Sequence, residues 1–210
     1  MPSFVTHIKG TVASFQPDEN SVTLKDGDML SYEYLVVAAG LKLDWAAIEG
    51  LETALGKNGV TSNYRYDLAP YTWDLVQKMR GKEAIFTQPP MPIKCAGAPQ
   101  KAMYLSCSTW TQAGKIKDIN VSFCNAGPVL FGCADYVPPL MEYVNSYGIN
   151  LDFGHNLVKV DGPNQTATFK VTKEGEEPQL IERKFDMLHV CPPQCAPDFI
   201  KESPLANEGG

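Results

Sequence analysis

Apolar positions alternate at the start of the chain. Residues 5–15 and 21–24 read as two strands around the turn-forming cluster QPDEN at 16–20, and KDGD at 25–28 marks a second turn. The pattern then changes. Residues 34–41 (YLVVAAGL) form a continuous uncharged apolar run, the signature of a strand buried on both faces. It ends at Ala39-Gly40, where missing side-chain bulk lets backbone or ligand approach closely.

From residue 67 the period is helical. Asp67 stands where it can cap a helix over 70–80 that stops at Gly81. Residues 83–87 read as a strand, and 88–97 as a proline-rich loop holding Cys95. A helix follows over 98–113, with Pro99 in its first turn and Gly114 as terminator. Then come a strand at 119–124, a helix at 138–147 closed by Gly148, and strands near 156–160, 166–171, 179–183 and 187–190. The order is β-ribbon, then β-α-β-α-β, then a meander, which predicts an α/β chain. Residues 83–153 look like part of a doubly wound sheet. The style shifts near 66–70 and again near 184, which predicts one domain inserted within another.

Composition narrows the functional classes. The 210 residues carry 18 Lys and Arg against 24 Asp and Glu, a net charge of −6. That balance, with no basic run, argues against binding a phosphate backbone, so no nucleic-acid partner is expected. The longest apolar run is far short of the roughly 20 residues that span a bilayer. The first residues (MPSFVTHIK) have no basic-then-apolar pattern and do not read as a signal or transit peptide. Six irregularly spaced cysteines are too sparse for a disulfide scaffold and point to a reduced compartment with one or more active thiols.

Cys95 is the strongest candidate for chemistry. It lies in PIKCAGAPQK (92–101) just ahead of the helix, and a helix N-terminus with Lys94 and Lys101 favours thiolate over thiol. Ala96, Gly97 and Ala98 would let a flat ring approach the sulfur. Taken without context, an inert buried loop cysteine is an equal reading. Cys124 ends a strand and Cys107 lies in a helix, so both read as core, while Cys133 has no assigned role. Cys191 and Cys195 (CPPQC) are a single pair where structural zinc needs four ligands. His7, His155 and His189 are scattered, so no metal site is expected. No G-x-G-x-x-G or G-x-x-x-x-G-K-[ST] occurs. After Cys124 stands NAGPVLFG (125–132), where Pro128 removes a backbone donor from any phosphate cradle.

Residues 92–105 (PIKCAGAPQKAMYL) closely resemble the active-site cysteine segment of sulfide:quinone oxidoreductases, especially the mitochondrial-type branch. Residues 34–45 (YLVVAAGLKLDW) with 48–51 (IEGL) resemble that family's flavin-domain strand and following loop. Residues 187–193 (MLHVCPP) with 203–205 (SPL) resemble the return to that domain. The similarity runs nearly end to end. It implies a two-dinucleotide-binding-domain flavoprotein of the disulfide-reductase type. Residues 1–69 and 184–210 would form an incomplete FAD domain. Residues 70–183 would be the inserted NAD-domain-like unit, which carries the cysteine and does not bind NAD.

By the same resemblance, FAD is the cofactor and Cys95 the catalytic sulfur. Val12 would lie on the strand that meets the adenine, with Ala38, Ala39 and Gly40 in the turn that approaches the cofactor. The implied partners are sulfide, quinone and a small sulfur acceptor. Membrane association would run through a segment absent from this chain. The location would be the mitochondrial inner membrane, or a bacterial cytoplasmic membrane as the alternative. The family's pyrophosphate turn and second redox cysteine have no counterpart here, so the chain is expected to be an internal excerpt, inactive alone. Cys191 and Cys195 are expected to be bystanders near the sheet edge. Two other readings remain: a non-catalytic flavoprotein-like module, or a related flavin enzyme such as a type II NADH dehydrogenase or flavocytochrome sulfide dehydrogenase.

Overall fold

A computed structural model describes residues 1–80 and 82–208. In chain order its strands begin with β1 (Val12–Gln16), β2 (Ser21–Leu24), β3 (Met29–Ser31) and the two-residue β4 (Lys42–Leu43). The short helix α1 (Leu51–Ala54), β5 (Val60–Thr61), α2 (Ala69–Lys78) and β6 (Lys82–Gln88) follow. Next are α3 (Gly97–Gln112), β7 (Ile119–Asn125), α4 (Val137–Tyr147) and β8 (Asn150–Phe153). The chain continues through β9 (His155–Asp161), β10 (Thr166–Val171), β11 (Gln179–Lys184) and β12 (Met187–His189) to β13 (Gln194–Cys195) and α5 (Asp198–Lys201). Two compact units result: residues 1–42 with 195 onward, and residues 43–194.

In the first unit, β1, β2 and β3 form an antiparallel sheet in that order. Phe15, Val22 and Leu24 are buried, and Phe15 stacks on Phe199 of α5 at 5.9 Å. Of the strand expected over 5–15, only the part from Val12 forms. The expected strand at 34–41 does not form. Tyr34 is 91% and Val36 88% exposed. A strand buried on both faces needs a pairing neighbour on each side. Among the described residues nothing pairs with this run, so apolar composition alone does not make it a strand.

The second unit is built on a five-stranded parallel sheet, β5-β12-β6-β7-β8. Its central strands bury side chains on both faces, as parallel strands must. Ala84 and Phe86 of β6 join Val121 and Phe123 of β7 against α2, α3 and α4, where Met103, Cys107, Trp110 and Val144 are buried. Ile85, Cys124 and Leu188 face the other way, onto the antiparallel meander β9-β10-β11 with Val160, Ala167 and Phe169. Trp110 is almost fully buried in that layer and donates its indole N–H to the Val76 carbonyl at 2.9 Å.

Helix ends follow local chemistry. α3 carries Pro99 in its first turn and ends before Gly114 at φ +68°. α2 starts one residue earlier than expected and stops at Lys78. Asp67 does not cap it: its carboxylate pairs with Arg65 two residues back, and Leu68 holds the cap position without a side-chain bond. The expected terminator, Gly81, lies outside the described residues.

Candidate functional site

Loops leaving the carboxyl ends of parallel strands gather on one side of a sheet, where open α/β folds place their ligands. Three such loops meet here. Residues 62–65 follow β5, residues 89–96 with Cys95 follow β6, and residues 190–194 follow β12.

The first loop is set by a buried ring. His189 on β12 has no exposed surface and stacks on Phe86 at 5.7 Å. Burial pulls it down from 6.5 to about 4, so the ring is neutral near pH 7. Its Nε2 accepts the Asn63 N–H at 3.0 Å, which assigns the ring proton to Nδ1, and Nδ1 has no partner. Ser62 Oγ accepts the next amide, that of Tyr64, at 3.1 Å. Together these bonds fix the turn that presents Tyr64.

The Tyr64 hydroxyl reaches the cysteine loop and donates to the Cys95 carbonyl at 3.3 Å, with the Lys94 carbonyl at 3.4 Å. Both are long for an O–H donor, so the proton is lightly held there. The third loop also clamps the second. The Lys94 N–H donates to Gln194 Oε1 at 2.5 Å, and the Cys191 N–H donates to Thr87 Oγ1 at 3.2 Å. Cys95 itself is exposed, in the left-handed region at φ +65°, and its carbonyl accepts the Ala98 N–H at the start of α3 at 3.0 Å. No side chain caps that helix.

Cys191 is buried at the same place. Burial pushes its thiol up to about 12, the nearby Cys95 adds to that, and the Tyr64 hydroxyl and Gln194 amide oppose it. Tyr64 is held above the usual phenol range, first by burial and then by Cys191 and Cys95, so it stays a proton donor. Gln194 is 9% exposed. Its side chain opposes the upward shift at both Tyr64 and Cys191. Its amide nitrogen is buried and has no hydrogen-bond partner among the described residues.

The remaining candidates are dispersed. Cys107 and Cys124 are fully buried, and burial pushes each thiol up to about 12. Cys133 is exposed ahead of α4, and Cys195 is half-buried. Val12 is half-buried at the start of β1, while Ala38, Ala39 and Gly40 are exposed in the irregular stretch before β4, with Gly40 at φ +78°. In the turn after β7, Asn125 Oδ1 accepts the Gly127 N–H at 2.8 Å and its Nδ2 donates to the Val129 carbonyl at 2.9 Å. With Pro128 beside it, that turn spends its donors on itself. Among the described residues no three His, Cys, Asp or Glu side chains cluster as metal ligands, and no helix is long and apolar enough to cross a membrane.

No family model matches the chain. It is 40% identical over 209 residues to the mitochondrial sulfide:quinone oxidoreductase of Dictyostelium discoideum, covering 99% of this chain and 45% of that protein. A chain in the Tetrahymena thermophila mitochondrial ATP synthase assembly has a similar fold, with TM-score 0.77, 22% identity, and coverage of 100% of this chain and 52% of that one. The sulfide:quinone oxidoreductase of Aquifex aeolicus matches with TM-score 0.73 at 18% identity, over 96% of this chain and 46% of its own. The chain spans about half the length of the curated relatives it matches. The fold class expected from the sequence therefore holds, and over nearly its whole length the chain is a sequence relative of the mitochondrial sulfide:quinone oxidoreductases.

Proposed function

We propose that the chain is part of an FAD-dependent sulfide:quinone oxidoreductase, which oxidises sulfide through a persulfide on Cys95 and passes the electrons by way of FAD to quinone. The observation that carries this reading is the presentation of Cys95. It is an exposed thiol at the carboxyl-end mouth of a parallel sheet, held by bonds from two neighbouring loops, beside an uncapped helix start. Cys107, Cys124 and Cys191 are sealed in the interior, where the neutral thiol is inert.

FAD would supply the two-electron sink. The residues assigned to it by resemblance, Val12 with Ala38, Ala39 and Gly40, do not make a dinucleotide site by themselves. Among the described residues their unit has no strand–glycine turn–helix to cradle a pyrophosphate. The chemistry derived from this chain therefore stays at the sulfur. In this reading residues 70–183 are the cysteine-bearing domain, and 1–69 with 184–210 lie on the flavin side. Sulfide, quinone and a small sulfur acceptor are the partners, with the mitochondrion as the location and peripheral membrane association. The relatives' names support sulfide, quinone and the mitochondrion in that reading. The test is sulfide-dependent reduction of a soluble quinone by the full-length FAD enzyme that contains this chain, comparing wild type with Cys95→Ser. Loss of turnover in C95S supports the reading, and a variant that keeps most of its turnover overturns it.

A further inference from the structure

Tyr64, Cys191 and Gln194 surround the Cys95 loop, yet none of them is needed to explain why Cys95 is exposed. Two features are out of keeping with a purely structural role. The Gln194 amide nitrogen is a donor on a side chain nine-tenths buried, and it has no partner. A buried amide left unbonded costs about 1–3 kcal/mol, so such a donor signals a missing acceptor. The Tyr64 hydroxyl spends its proton on two long bonds to peptide carbonyls, and it can turn from these to a better acceptor. Both side chains bond the loop that carries Cys95, Tyr64 at the Lys94 and Cys95 carbonyls and Gln194 at the Lys94 N–H. The Cys191 thiol, which burial keeps neutral, provides a soft, polarisable wall there.

We propose that Tyr64 and Gln194 form a two-donor cradle, floored by Cys191, that holds the outer sulfur of a hydropersulfide anion on Cys95. This rests on the reading of Cys95 given above and deepens it by naming what binds the sulfane sulfur once formed. The ligand class is a soft, singly charged sulfur anion. Two hydrogen bonds from neutral donors lower its energy without adding a cation, and so leave it anionic.

The experiment loads the chain with inorganic polysulfide and unloads it with cyanide. In loading, the Cys95 thiolate attacks a sulfane sulfur: one Cys95–sulfur bond forms, one bond of the polysulfide breaks, and the shortened polysulfide leaves with the electron pair. In unloading, cyanide takes the outer sulfur as thiocyanate and the Cys95 thiolate departs. Peptide mass spectrometry follows the added sulfur in wild type, Tyr64→Phe, Gln194→Met and the double variant. Both replacements keep side-chain size, and matched circular dichroism and urea midpoints confirm the fold. Wild type should hold the sulfur longest, each single variant should lose it roughly tenfold faster, the worth of one hydrogen bond to a charged group, and the double variant faster still.

The failures are distinct. If Cys95 takes up sulfur but all variants release it at one rate, the cradle is wrong and the role of Cys95 stands. If the sulfur settles on Cys191, or Cys95 and Cys191 end in a disulfide, Cys191 is a reactant and not a wall, and the proposal is overturned. If wild type takes no sulfur on Cys95, the underlying reading falls with it.

Discussion

Acid should loosen the Tyr64 turn through a single ring. His189 is fully buried and titrates near 4, against 6.5 when free. A base whose folded value is depressed stabilises the fold above its unfolded value, and that contribution is lost as the pH falls toward the folded one. The shift corresponds to about 3 kcal/mol in all, of which about 2 kcal/mol is gone by pH 5. The local cause is a clash of donors: protonated Nε2 can no longer accept the Asn63 N–H, and the two would face each other. Replacing His189 by Gln leaves a carboxamide oxygen able to accept that N–H but removes the titration. Urea unfolding of both proteins between pH 8 and pH 5 gives the difference. The variant starts weaker, having lost the stack on Phe86, and the gap should close by about 2 kcal/mol as the pH falls. Relative to its intrinsic exchange rate, the Asn63 amide should lose protection over the same range in wild type alone. Parallel stability curves would refute the assignment of a neutral, depressed His189.

Limiting iodoacetamide at neutral pH should alkylate Cys95 well before Cys107, Cys124 and Cys191, whose thiols are buried and pushed up to about 12. Faster labelling of Cys191 in the folded chain would contradict the burial described here. Trp110→Ala should cost about 3–5 kcal/mol in urea unfolding, since it opens a cavity the size of an indole. Trp110→Phe should cost less, retaining the packing but leaving the Val76 carbonyl without its donor. Asn125→Ala should cost about 1–3 kcal/mol by stripping partners from the Gly127 N–H and the Val129 carbonyl, and a change within experimental error would show that the turn closes without them.

How far the sequence could be read depended on whether the cause of each feature lay nearby along the chain. α3 was legible because Pro99, its apolar face and Gly114 all act within the helix. The β6 and β7 strands were legible because apolar side chains recur at every second position, Ala84 and Phe86 in β6 and Ile119, Val121 and Phe123 in β7. The run at 34–41 has equally strong apolar character and forms no strand, because hydrophobicity says that a surface wants a partner without supplying one. Asp67 failed as a cap for a related reason: a carboxylate takes the best donor within reach, and Arg65 is closer than the helix amides.

Cys95 could be singled out because thiol, glycine, proline and helix start are contiguous, but its surroundings could not. Lys94 and Gln194 are bonded 100 residues apart in sequence, and Tyr64 reaches Cys95 across 31. No motif links them; strand order does. The late strand β12 inserts between β5 and β6, although β6 follows β5 directly among the sheet's strands in the chain. That insertion delivers the 190–194 segment between the loop carrying Tyr64 and the loop carrying Cys95. Had β12 added at the outer edge of β5, the same residues would stand two strands from Cys95, and Gln194 could not clamp Lys94. The chemistry of the cysteine is therefore local, while its environment belongs to the topology of the sheet.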